Sequence, residues 1–151
     1  MAHKGAGQAD KDWVGAAAPP GAEQIGRRRP KGRQQVGVEG ETLAVAALRE
    51  QGMQILAQNW RCTIGEIDIV ALDVVSGRRT LVFCEVKCRT GLGFGSPLEA
   101  ITHAKVRKLR QLSAHWLHTE SVQADAIRLD AIGVLLLSGR QPTLTHVRGI
   151  G

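Results

Sequence analysis

Apolar residues recur along this chain in two different rhythms, and these divide it into helices and strands. Between residues 36 and 51, Val38, Ala44, Val45 and Leu48 recur at helical spacing, and Gly52 follows where a helix would end. Glu41 falls on the same stripe, whereas Glu39 and Glu50 fall away from it. A carboxylate on the apolar side of a helix is uncommon, and it needs either a buried partner or a site to point into. Residues 53–62 read as a first strand. A second opens at Gly65, with Glu66, Asp68 and Val70 on one face and Ile67, Ile69 and Ala71 on the other. Ser76-Gly77 is a turn signal between two apolar runs, so the second strand should pair antiparallel with residues 80–90. In that third strand Phe83, Glu85, Lys87 and Arg89 share one face; Cys84, Val86 and Cys88 share the other.

The glycine-rich stretch Gly91, Gly93, Gly95 lacks the Lys-Ser/Thr that would follow in a nucleotide-binding loop, so it reads as a mobile connection. Ser96, with Pro97 and Glu99 behind it, predicts the start of a helix running to about residue 118. Its stripe is Leu98, Ile101, Leu109, Leu112 and Trp116, and Lys105 projects from the middle of it. A lysine there either snorkels to solvent or serves a site. Residues 127–137 form the next strand, with Arg128, Asp130 and Ile132 on one face, and residues 143–147 a last strand at the edge. The order is helix, three strands, helix, two strands. It predicts an α/β domain with a central mixed sheet of four to five strands flanked by helices.

A length of 151 residues suits one domain. No apolar run is long enough to span a membrane, and no apolar segment near the start resembles a secretory signal. Three cysteines, two of them inside a strand, point to reduced thiols and a cytoplasmic protein, not a disulfide framework. Cys84 and Cys88 lack the accompanying Cys-x-x-Cys of a zinc site, and the five histidines show no metal-ligand spacing. The net charge of +6 invites nucleic acid as a partner, but residues 1–35 hold +4 of it, leaving the body with +2. Residues 1–35, rich in Gly, Ala, Pro and Arg, read as a disordered tail ahead of a domain over residues 36–151. The run from Arg27 to Arg33 is either a phosphate-binding arm or a solubilising tail.

The chemistry concentrates on Glu41, Asp68, Glu85 and Lys87. Taken alone, Glu85 and Lys87 read first as an ordinary ion pair on a half-exposed strand. With Asp68 brought beside them by the hairpin and Glu41 facing inward, three carboxylates and a lysine suit metal-assisted phosphodiester hydrolysis. Asp68, Glu85 and Glu41 would hold Mg2+ or Mn2+ through hard oxygen ligands. Lys87 would orient the attacking water and offset phosphate charge.

These residues resemble a known pattern. Asp68 followed by Glu85-Val86-Lys87 matches the PD-(D/E)xK nucleases, although Ile67 stands where the motif's name places proline. The fuller resemblance is to the UPF0102 (YraN-like) proteins, themselves similar to archaeal Holliday-junction resolvases. It rests on Gly40-Glu41, Asn59-Trp60-Arg61-Cys62, Gly65-Glu66-Ile67-Asp68, Phe83 through Lys87 with Arg89, Gly95-Ser96-Pro97, Lys105, and Arg128-Leu129-Asp130. Cys84 and Cys88 depart mildly from it, standing where Val and Thr are common. The resemblance covers roughly residues 36–148. It implies a restriction-endonuclease-like fold, a Mg2+-dependent nuclease acting on branched or structured DNA, and Arg61, Arg89 and Lys105 as nucleic-acid contacts. By analogy with resolvases, which make two cuts, it implies a homodimer. Two other readings stand beside it: a nucleic-acid-binding module without hydrolysis, and an interaction protein whose charged cluster is structural.

Overall fold

A two-residue turn sets the register of the sheet. Ser76 and Gly77 both adopt left-handed backbone (φ 51 and 78), the combination of the hairpin turn whose twist matches its strands. It joins β2 (Gly65–Val75) to β3 (Arg78–Arg89), pairing Leu72 with Leu81 and Ile69 with Cys84. The computed structural model describes residues 32–91, 93 and 95–151. The disorder expected of the tail up to residue 31, and the mobility expected at Leu92 and Phe94, lie outside the described residues.

The remaining elements are α1 (Arg33–Glu50), β1 (Gln54–Cys62), a single 3-10 turn (Pro97–Ala100), α2 (His103–Thr119), β4 (Ala126–Leu135) and β5 (Thr143–Val147). The strands form one mixed sheet in the order β1-β2-β3-β4-β5. All neighbours are antiparallel except β3 and β4, which the α2 crossover leaves parallel. Helices cover both faces. Ala44, Val45 and Leu48 of α1 pack with Ile69, Ala71, Val82, Cys84, Val86 and Ile132. On the other side Leu109, Leu112 and Trp116 of α2 pack with Val70, Leu72, Leu81, Phe83 and Leu129. Phe83 and Trp116 meet edge to face at 5.5 Å.

Three local expectations are corrected. Residues 33–35, expected in the tail, form the first turn of α1. Val38, expected in the apolar stripe, is exposed. Gly40 takes the inward place instead: a Cβ there would lie 2.6 Å from Cys88 Cβ, so only glycine lets α1 approach β3 this closely. The second helix does not begin at Ser96. That residue precedes only the 3-10 turn, and Ile101 is extended; Thr102 then caps α2, its Oγ1 accepting from Lys105 N–H at 3.2 Å. At its other end α1 closes as expected. Gly52 N–H donates to Arg49 and Met53 N–H to Leu48, and Met53 packs on Leu48 in the core.

Asp130 is fully buried and fully satisfied. Arg128 grips it with Nε (2.8 Å) and Nη2 (2.9 Å), His146 Nε2 donates at 2.8 Å, and Gly149 N–H at 3.1 Å. Arg128 also reaches Asp73, and so does Arg148. Arg148 donates to Gln51 Oε1, and the Gln51 amide faces His146 Nδ1 at 3.2 Å. The ring therefore closes on itself and ties β2, β4, β5 and the end of α1 together. A neutral imidazole protonated on Nε2 satisfies both of its neighbours.

Burial alone would raise the Asp130 pKa, but His146, Arg128 and Gly149 together outweigh it and hold it below the ordinary value of 3.8. Its contribution to stability is then present above about pH 4 and lost as pH falls through the lower folded value. Asp130→Asn should destabilise the domain by about 3 kcal/mol at pH 7, with urea denaturation as the measurement. The gap between variant and parent should narrow as the pH is taken from 4 towards 2; a gap that widened would contradict this account.

Candidate metal centre

Asp68 sits where β2 has parted from both neighbours. The β1–β2 ladder pairs Gln58 with Ile69 and Trp60 with Ile67, but skips the position between them, Asn59 opposite Asp68. Asn59 there has left-handed backbone, φ 50. On the other side, pairing with β3 stops at Ile69 and Cys84. In place of a ladder bond, Asp68 Oδ2 accepts from the Val86 N–H at 2.8 Å.

This break inverts the alternation of β2. Ile69 packs beneath α1, whereas Ile67 packs beneath α2 with Val70 and Leu72. The expectation that Ile67 and Ile69 share a face is therefore corrected. The inversion has a chemical consequence, because Glu66, opposite Ile67, now turns towards the α1 side where Glu41 stands. Carboxylate oxygens of Glu41, Glu66 and Asp68 all lie within 4.8 Å of one another.

Each acid has its own support. The Asn59 side chain lies beside Glu41 and favours its ionised form. Arg61 Nε donates to Glu66 Oε2 at 3.0 Å. Glu85 stands next to this trio, and its Oε1 pairs with Lys87 Nζ at 3.0 Å. The Lys87 ammonium lies beside that of Lys105 from α2. Arg89 extends the same face of β3, with Nε buried and no hydrogen-bond partner among the described residues. Burial, and then the charge of Glu85, pushes Asp68 up to about 7. Burial likewise raises Glu41, opposed by the Asn59 side chain. For Lys87, burial would lower the pKa, but the carboxylate of Glu85 outweighs it and the net shift is upward. Lys105 is lowered by the adjacent Lys87 ammonium and then by burial.

Of the residues singled out from the sequence, Glu41 and Asp68 come together, with Glu85 and Lys87 beside them and Lys105 against Lys87. Arg61 is largely exposed and bound to Glu66, so in this structure it is an anchor for a carboxylate. The spacing of apolar positions assigns Glu66 a face but no role, because the break in pairing at Asn59 and Asp68 leaves no mark in that spacing. Three hard oxygen donors at this spacing, two of them raised in pKa by burial, form the donor set that a small divalent cation takes.

Ionising Asp68 opposes folding. A folded-state value of about 7, against an ordinary 3.8, means stability falls as pH rises from about 4 to 7. Asp68→Asn keeps an oxygen for the Val86 N–H and removes the charge. It should therefore stabilise the metal-free protein at pH 8 by about 1–3 kcal/mol in urea denaturation, and by much less at pH 4. A variant no more stable than its parent at pH 8 would refute the strained-carboxylate reading.

Comparison with known proteins identifies the family. The family model described as "Uncharacterised protein family UPF0102" matches residues 40–134, which include all four of Glu41, Glu66, Asp68 and Glu85. A UPF0102 protein of Mycobacterium tuberculosis (strain ATCC 25618 / H37Rv) is 48% identical over 122 residues, covering 79% of this chain and 94% of that protein. One of Mycobacterium ulcerans (strain Agy99) is 47% identical over 119 residues, covering 79% and 96%. On this match and on the sequence motifs, the chain belongs to the UPF0102 family.

Proposed function

We propose that this protein is a Mg2+- or Mn2+-dependent endonuclease that hydrolyses phosphodiester bonds in branched or otherwise structured DNA. The observation that carries the proposal is the meeting of Glu41, Glu66 and Asp68 at one point beside the Glu85–Lys87 pair. Close carboxylates repel one another, and the repulsion is relieved most directly by a divalent cation. Asp68, Glu41 and Glu66 would hold that cation, with Glu85 as a further oxygen. When bound, it supplies Lewis-acid polarisation of the phosphate and acidifies the attacking water.

The chain's own residues account for the rest. Glu85 holds Lys87 at 3.0 Å, so the ammonium is fixed at the edge of the acidic trio. There it can orient the water and offset charge that develops on the phosphate. Lys105 and Arg89 continue the positive strip along the α2 side and would carry the neighbouring backbone of the nucleic acid. A binding module without hydrolysis would gain nothing from three carboxylates facing the phosphates. The branched substrate, and a homodimer carrying two sites for two cuts, follow the likeness to junction resolvases. No helix among the described residues is long and apolar enough to cross a membrane, and Cys62, Cys84 and Cys88 form no disulfide among the described residues.

The test is purified protein with Mg2+ or Mn2+ against linear, flapped, four-way and single-stranded substrates. Asp68→Ala and Glu85→Ala should each lower cleavage by at least about 1000-fold while leaving the fold intact by circular dichroism. Cleavage that survived both substitutions would exclude this site. In the same assay, removing residues 1–31 takes away six Lys/Arg and should flatten the dependence of DNA affinity on salt. An unchanged salt slope would show that the tail makes no phosphate contacts.

A further inference from the structure

The chain contains a single asparagine, Asn59, and it stands at the break in the β1–β2 ladder opposite Asp68. Both its backbone and its side chain act there. Left-handed backbone is disfavoured for most residues, and asparagine is the side-chain-bearing residue that tolerates it best. Its φ of 50 marks the skipped pair that frees Asp68 from β1 and turns Glu66 towards α1. Meanwhile its side chain lies close enough to the Glu41 carboxylate to favour the ionised form. Asn59 is exposed, and its amide lines no apolar core, so its place is not explained by packing.

From this juxtaposition we infer that Asn59 is the positioning residue of the acidic cluster: its backbone creates the break that gathers Glu66 and Asp68, and its amide fixes Glu41 against them. Arg61, two residues on, plays the parallel part for Glu66. One short piece of β1 thus orients two carboxylates that come from two other elements. The inference rests on the metal reading above for its purpose, but the contact itself is a property of the metal-free protein. Residues that orient metal-binding carboxylates commonly alter affinity by about 10- to 100-fold when removed.

Two substitutions separate the two roles. Asn59→Gly keeps the left-handed backbone and loses the amide; Asn59→Ala loses both. Asn59→Gly should melt close to the parent yet bind Mn2+ about 10-fold more weakly by isothermal titration calorimetry. Asn59→Ala should bind as weakly and also melt lower, by roughly 3–6 °C. A metal-free readout stands beside these. Protein labelled with 15N only at asparagine gives one side-chain amide signal, and Glu41→Ala should move that signal by removing the carboxylate beside it. Asn59→Gly that bound Mn2+ as tightly as the parent, or an amide signal indifferent to Glu41, would overturn the inference. Parent protein that failed to bind Mn2+ at all would refute the metal reading instead, and the amide signal would then decide the role of Asn59 by itself.

Discussion

The hydrogen bond from the Val86 N–H to Asp68 is the hinge of the molecule's chemistry. A strand in the middle of a sheet has its backbone groups committed to its neighbours, and its side chains strictly alternate. At Asp68 that commitment lapses on both sides, and a carboxylate takes the place of a backbone acceptor. The fork between β2 and β3 stays closed at the backbone, while the Asp68 carboxylate also lies beside those of Glu41 and Glu66. Without this substitution of side chain for ladder, β2 would run on and Glu66 would face α2, away from Glu41.

The helices hold that geometry in place from opposite sides. Gly40 brings α1 down onto Cys88, and so lowers Glu41, its neighbour, to the level of the sheet. On the far side Thr102 sets the first turn of α2, which carries Lys105 to Lys87. The acids thus gather near α1 and the bases near α2, on the two sides of one strand end. Such a division suits a negatively charged chain that must approach a cation: the amines meet the phosphate, and the carboxylates are shielded by the metal.

How much of this was legible in the sequence follows from what each feature depends on. The hairpin was legible because Ser76-Gly77 announces its own geometry, and the last strand because Thr143–Val147 alternates cleanly. Glu41, Asp68, Glu85 and Lys87 were legible as charges in apolar surroundings. Glu66 was not, since its orientation depends on one skipped pair, and such a break inverts a face without altering composition. The start of α2 was misplaced for a related reason. Ser96-Pro97 and Thr102 are both competent openings, and only the tertiary placement of the intervening turn decides between them. Gly40 could not be read as a contact residue, because nothing local to it names Cys88.

Two buried aspartates show how the same fold treats charge in opposite ways. Asp130 is enclosed by Arg128, His146 and a backbone N–H, and burial is more than offset, so its carboxylate is held ionised. Asp68 lies beside Glu85 and Glu41 and receives one backbone donor, so burial and repulsion prevail and its proton is retained to about pH 7. The cations near it are paired elsewhere: Lys87 with Glu85, Arg61 with Glu66. A protein selected only for stability would have closed this cluster as it closed the ring around Asp130. Leaving Asp68 and Glu41 under-compensated within reach of two further carboxylates is a cost that folding bears, and such a cost persists where the missing positive charge arrives with function.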